Sequence, residues 1–210
     1  MNEIEQKYFE KLQASRKEAW KVFSDDEYIG VMRSVIDKYT ESAHFVYELL
    51  QNADDALATK AEFRLSKEGL YFIHNGSIRF SISNPDNKVE DKSKGSLGHL
   101  NSITSIGFSA KDNEGKFNKI GKFGIGFKAV FQYTDTPHIY DDGLCFKIEN
   151  YIVPSLIEDV QDRKKGETMF YFPFDKKEID KEEAYLEISK RLRHLDNPIL
   201  FLHNLDVVKW

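Results

Sequence analysis

On the segment YELLQNADDAL, Glu48, Asn52 and Asp55 stand at i, i+4 and i+7, a spacing that brings them to one face of a helix. A carboxylate and an amide one turn apart can divide a hydrolytic task. The amide oxygen binds a hard cation such as Mg²⁺ while the carboxylate orients or deprotonates water. The same trio also suits a solvated helix face, so it needs company before it means chemistry. In KIGKFGIGFKAVF, Gly121, Gly124 and Gly126 precede an apolar, helix-like run. Glycines let the backbone approach a phosphate closely, and free N–H groups at a helix start supply donors and a favourable dipole. No strand leads directly into these glycines and no Gly-Lys-Ser/Thr closes them, which excludes the dinucleotide fingerprint and the Walker loop. In KGETMFYFPF, Thr168 opens an aromatic strand. A hydroxyl there can hydrogen-bond a ligand's ring edge while alternate residues pack the core.

Such residues need elements to hold them. Residues 3–39 read as helices with a break near Ser24, Asp25 and Asp26, since Ser and Asp cap a second helix well. The spacing of Val46, Leu49, Leu50, Ala53 and Leu57 predicts a third helix over residues 42–59. Strands over 62–66 and 70–74, separated by Lys67-Glu68-Gly69, form a predicted hairpin. Residues 83–121 are polar and rich in turn signals, and so long a weakly ordered stretch inside one domain points to a functional lid. A helix over 126–133, strands over 144–149 and 168–174, an amphipathic helix within 176–196 and a last strand from Asp206 complete the pattern.

The 210 residues, 40% hydrophobic and 13% aromatic, suffice for one substantial core. The expected organisation is a helical extension over residues 1–38 packed on a domain over 39–210. With 30 Lys and Arg against 35 Asp and Glu, the net charge of -5 gives no global reason to expect nucleic acid or an acidic membrane surface. Locally, Lys111, Lys116, Lys119, Lys122 and Lys128 gather around the glycines, where a triphosphate needs countercharge. The single cysteine, Cys145, forms no intramolecular disulfide and suits a reducing cytoplasm. His44, His99, His138, His194 and His203 show no zinc-ligand spacing. A charged N-terminus without an apolar stretch, and no membrane-length apolar run, predict a soluble protein. The closing LDVVKW stops within a strand-like pattern, as the edge of an N-terminal fragment of a longer protein would.

Taken jointly, the three motifs resemble the GHKL ATPases, the family of gyrase, the ninety-kilodalton heat-shock chaperone, histidine kinases and MutL. YELLQNADDAL is similar to their N-box, IGKFGIGFKAVF to their phosphate-binding glycine motif and GETMFYF to their Gly-x-Thr strand; SITSIGFSAKD resembles the lid of the sacsin-like branch. The resemblance implies an α/β two-layer sandwich of the Bergerat type, a mixed and mostly antiparallel sheet with helices on one face and an ATP lid. It further implies Mg²⁺-dependent ATP hydrolysis that drives a conformational cycle in a larger multidomain protein. The alternatives are a nucleotide-gated module with little turnover, or a protein kinase of the histidine-kinase branch. By position, Glu48 matches the general base, Asn52 the Mg²⁺ ligand and Asp55 the acidic residue one turn further into the pocket. Gly121, Gly124 and Gly126, with Lys122, Phe123, Ile125, Phe127 and Lys111 around them, match the phosphate loop. Lys128 faces phosphate or caps the sheet, and Thr168 matches the hydroxyl near adenine. The family has an Asp two residues before a Gly to accept from the adenine amino group; this chain has His74-Asn75-Gly76. The Asn75 oxygen or a neutral His74 nitrogen is then the expected acceptor. Implied partners are ATP and ADP, downstream domains of the same chain, a protein or nucleic-acid client and a second copy in a homodimer, with no membrane.

Overall fold

The chain enters its first helix, α1 (Glu3–Phe23), through a capping box: Asn2 Oδ1 accepts from the Ile4 and Glu5 amides, and Glu5 Oε2 accepts from the Asn2 amide. The computed structural model describes residues 1–30, 45–105 and 126–210. Helix α2 (Phe45–Asp55) buries Phe45, Val46, Leu49, Leu50 and Ala53 along one stripe, as expected. It ends earlier than its apolar spacing predicts. Leu57 takes a left-handed φ of 61° and is half exposed, because the Leu57 and Ala58 amides turn back onto the Asp54 and Ala53 carbonyls.

Strands β1 (Lys60–Leu65) and β2 (Gly69–His74) form the predicted hairpin. Two short helices follow, α3 (Lys88–Lys94) and α4 (His99–Ile103). They fall in the stretch read as weakly ordered, yet Leu100 and Ile103 sit in the core and Asn101 holds Ser83 through both its oxygen and its nitrogen. The segment Gly126–Gln132 is a 3₁₀ helix in place of the expected α-helix. Next come β3 (His138–Tyr140), β4 (Phe146–Glu149), β5 (Val153–Leu156), β6 (Thr168–Pro173), helix α5 (Lys181–Arg193) and β7 (Val207–Lys209). Strands β3 and β5 were not among the predicted elements. Helix α5 starts at an Asp180 cap and buries Ala184, Ile188 and Leu192 at four-residue spacing.

The strands form one seven-stranded sheet in the order β5-β4-β3-β6-β2-β1-β7, antiparallel except for the β1/β7 pair. Alternation along the strands sends Phe63, Leu70, Phe72, Ile139, Phe146, Phe170 and Phe172 to one face, into the same core as Phe9 and Leu12 of α1, the α2 stripe and Ile188 of α5. The opposite face carries Ile73, Tyr140 and Met169, flanked by the stacked Tyr71 and Tyr171 rings. Helices on one face of a mixed sheet make this the expected α/β two-layer sandwich. Among the described residues no helix is long and apolar enough to cross a membrane.

Candidate functional site

Helix α2 carries its polar residues on separate faces. Asn52 is only 5% exposed, and its side-chain amide hydrogen-bonds none of the described residues. Glu48 and Asp55 are half-buried. Asp54 was overlooked at the sequence level. Its carboxylate accepts from the backbone amides of His203, Asn204 and Leu205 at 2.6–3.1 Å, and its carbonyl accepts from Asn204 Nδ2 at 3.0 Å. Burial alone would raise the Asp54 pKa, but those amides outweigh it and hold the group below its ordinary value. No local signal reveals this, because the partners lie 149 to 151 residues away.

At its C-terminal end α2 meets the end of β2. A Cβ on Gly76 would lie 2.7 Å from the Ala56 carbonyl oxygen and 2.9 Å from Ala56 Cβ, so only glycine permits this approach. The Ser77 amide donates to that same carbonyl. Register pairs His74 with Thr168, and alternation places both on the helix-facing side of the sheet, one step beyond the Phe72/Phe170 pair. The apolar face therefore ends in a polar row beneath the end of α2. Thr168 is buried and donates to Asp141 Oδ2 at 2.7 Å; Arg79 donates to Thr168 Oγ1 at 3.3 Å and to the Gly166 carbonyl at 2.9 Å. Arg79 also stands 3.5 Å from the fully buried Asp141 carboxylate. Neither Arg79 nor Asp141 was singled out in the sequence, because neither belongs to a motif.

The two residues expected to accept from an adenine amino group are both committed elsewhere. Asn75 Oδ1 accepts from the Thr59 and Lys60 amides at 3.0 and 2.9 Å, and Asn75 Nδ2 donates to Thr59 Oγ1, so this side chain closes the turn into β1. His74 Nδ1 accepts from the Gly76 amide at 3.1 Å. The His74 ring lies against Phe72 and Phe170, and burial, assisted by the Arg79 cation, lowers its pKa to about 3.

Lys128 follows Phe127 at the start of the 3₁₀ helix. It is buried, and its ammonium group donates to the carbonyls of Ile103 and Tyr151 and lies 5.5 Å from the Phe131 ring centre. Burial lowers its pKa to about 7. It ties the 3₁₀ helix to α4 and to the turn before β5. Phe127 packs against Phe170 and Phe172 and is a core residue. Gly126 opens the 3₁₀ helix. Lys111, Gly121, Lys122, Phe123, Gly124 and Ile125 lie outside the described residues, as does the lid segment SITSIGFSAKD beyond Ser105.

A helix with a buried amide on its sheet-end face, packed over the end of an antiparallel strand pair, is the frame that the motif resemblance implies. The sacsin domain family matches residues 25–149, more than half of the chain and the whole stretch from α2 to β4. The chain belongs to the sacsin domain family. It is 32% identical over 130 residues to the protein NO VEIN of Arabidopsis thaliana, covering 57% of this chain and 4% of that protein. It is 32% identical over 116 residues to human sacsin, covering 51% of this chain and 2% of sacsin. The chaperone protein HtpG of Aliarcobacter butzleri is 31% identical over 113 residues, 46% of this chain and 18% of the chaperone. The GHKL-type resemblance thus holds, in its chaperone-like and sacsin-like branch. The chain spans at most 18% of the length of these relatives.

Proposed function

We propose that this domain binds a nucleoside triphosphate, in the first instance ATP, with Mg²⁺ and hydrolyses it to drive a conformational cycle in a larger cytoplasmic protein. The observation that carries this reading is Asn52: a polar side chain 5% exposed and without a hydrogen-bond partner among the described residues. Its amide atoms are not sealed from solvent, so water engages them until a ligand displaces it. Mg²⁺ usually keeps several waters and takes only one or two protein oxygens beside the phosphates, so a single amide oxygen fits it.

In this reading the Asn52 oxygen faces the cation, and Glu48, one turn earlier on α2, positions the attacking water and takes its proton. Bound Mg²⁺ would supply charge stabilisation on the phosphate oxygens. Amides of the Gly121 to Gly126 segment would donate to the phosphates and Asp55 would line the pocket. The cycle would act on downstream segments of the same chain and on a protein or nucleic-acid client, with a second copy of the chain as a further partner.

The test is phosphate release by the full-length protein at saturating nucleotide. Glu48→Gln should lower turnover by about 10²–10⁴, as removal of a general base does, with affinity kept within a few-fold. A Glu48→Gln protein that turns over at the wild-type rate would remove the catalytic assignment and favour a nucleotide-gated module.

A further inference from the structure

The polar row at the sheet end has spent its acceptors. Asn75 Oδ1 holds two backbone amides, Asp141 Oδ2 receives the Thr168 hydroxyl, and His74 Nδ1 receives the Gly76 amide. A backbone amide only donates, so His74 Nδ1 is the unprotonated nitrogen and the ring proton sits on Nε2. That Nε2–H group has no partner among the described residues, on a side chain 4% exposed. Among the described residues, the cation acting on His74 is Arg79, which is itself purely a donor. Among the described side chains of this row, the Nε2–H donor is thus the polar group left unengaged.

We propose that the base end of the site reads a hydrogen-bond acceptor through His74 Nε2–H, so that a 6-oxopurine nucleoside triphosphate is held at least as well as ATP. The inference rests on the cleft being a nucleotide site, as proposed above, and concerns only which purine it takes. An exocyclic 6-amino group facing Nε2–H sets donor against donor, and both lose the water bonds they had. A 6-oxo group restores one bond. A site built to hydrogen-bond one pattern of donors and acceptors penalises the opposite pattern strongly, because its buried group is left unpaired. Because the ring is neutral throughout the physiological range, the preference needs no charged form of His74.

The test is titration calorimetry of the full-length protein with Mg²⁺ and either ATP or inosine triphosphate, which differ at purine position 6 and in the N1 proton that accompanies the oxo group. Expected is a dissociation constant for inosine triphosphate that is lower than, or within threefold of, that for ATP. Tighter binding of ATP by more than threefold overturns the inference while leaving the nucleotide site standing. Absence of binding by either nucleotide overturns both. His74→Asp, which places an acceptor at the same position, should shift the ratio toward ATP by tenfold or more, and an unchanged ratio in the folded variant counts against His74. Should the buried carboxylate prevent folding, His74→Asn supplies an uncharged acceptor, and a shift toward ATP is again the expected result.

Discussion

On α2 the Asn52 side chain is only 5% exposed and bonds none of the described residues, whereas at the sheet end the acceptors of Asn75, His74 and Asp141 each receive one of the protein's own donors. The contrast separates two kinds of polar residue. One kind completes the fold. The other is left by the fold without a protein partner and open to a ligand. Asp54 shows the first kind on the same helix as Asn52: two positions apart, one side chain holds three backbone amides and the other holds none.

The largest effect that sharpens this contrast is expected at Asp54. Asp54→Ala strands the amides of His203, Asn204 and Leu205, and should cost about 3 kcal/mol of stability. Urea denaturation measures it, and a loss below about 1 kcal/mol would mean that water replaces the carboxylate without penalty. The carboxyl's folded pKa is lowered, so its contribution is present above the unfolded value of 3.8 and is lost as pH falls through the folded one.

A smaller effect isolates His74. Its folded pKa of about 3 lies below the unfolded 6.5, so the unfolded chain binds the extra proton between these values and stability falls as pH is lowered through that window. From pH 7 to pH 5 the loss should be about 2 kcal/mol. His99 and His138 are also lowered by burial and contribute with the same sign. The informative quantity is therefore the extra loss in wild type over His74→Gln. Equal acid sensitivity in the two proteins would mean that the ring is not held neutral and that its Nδ1 is open to other roles.

How much of this was legible in the sequence depended on how local the cause was. The α2 stripe as far as Ala53, the β1/β2 hairpin, β6 and α5 all rest on periodicity and turn chemistry within a few residues, and each of these elements forms. The short strands β3 and β5 do not announce themselves: HIY follows Thr-Pro, VPSL contains Pro154, and each spans only three or four residues. Glu48, Asn52 and Asp55 could be grouped from the sequence because i, i+4 and i+7 spacing is a property of one helix. The part played by Asn75 could not be read there, because its oxygen is claimed by amides 15 and 16 residues away. Lys128 likewise lay in a run of lysines whose charge pattern resembles phosphate binding, and its burial against the Ile103 and Tyr151 carbonyls is a tertiary fact.

The central claim, that α2 keeps Asn52 incomplete for a cation, is tested most directly by the Mg²⁺ dependence of nucleotide affinity in wild type and Asn52→Ala. Calorimetry with and without Mg²⁺ should show wild-type affinity falling tenfold or more, about 1.4 kcal/mol, when the metal is removed. Asn52→Ala should bind equally with and without it, at an unchanged urea midpoint because the amide bonds nothing in the described fold. An Asn52→Ala protein that keeps the wild-type Mg²⁺ dependence would contradict the claim.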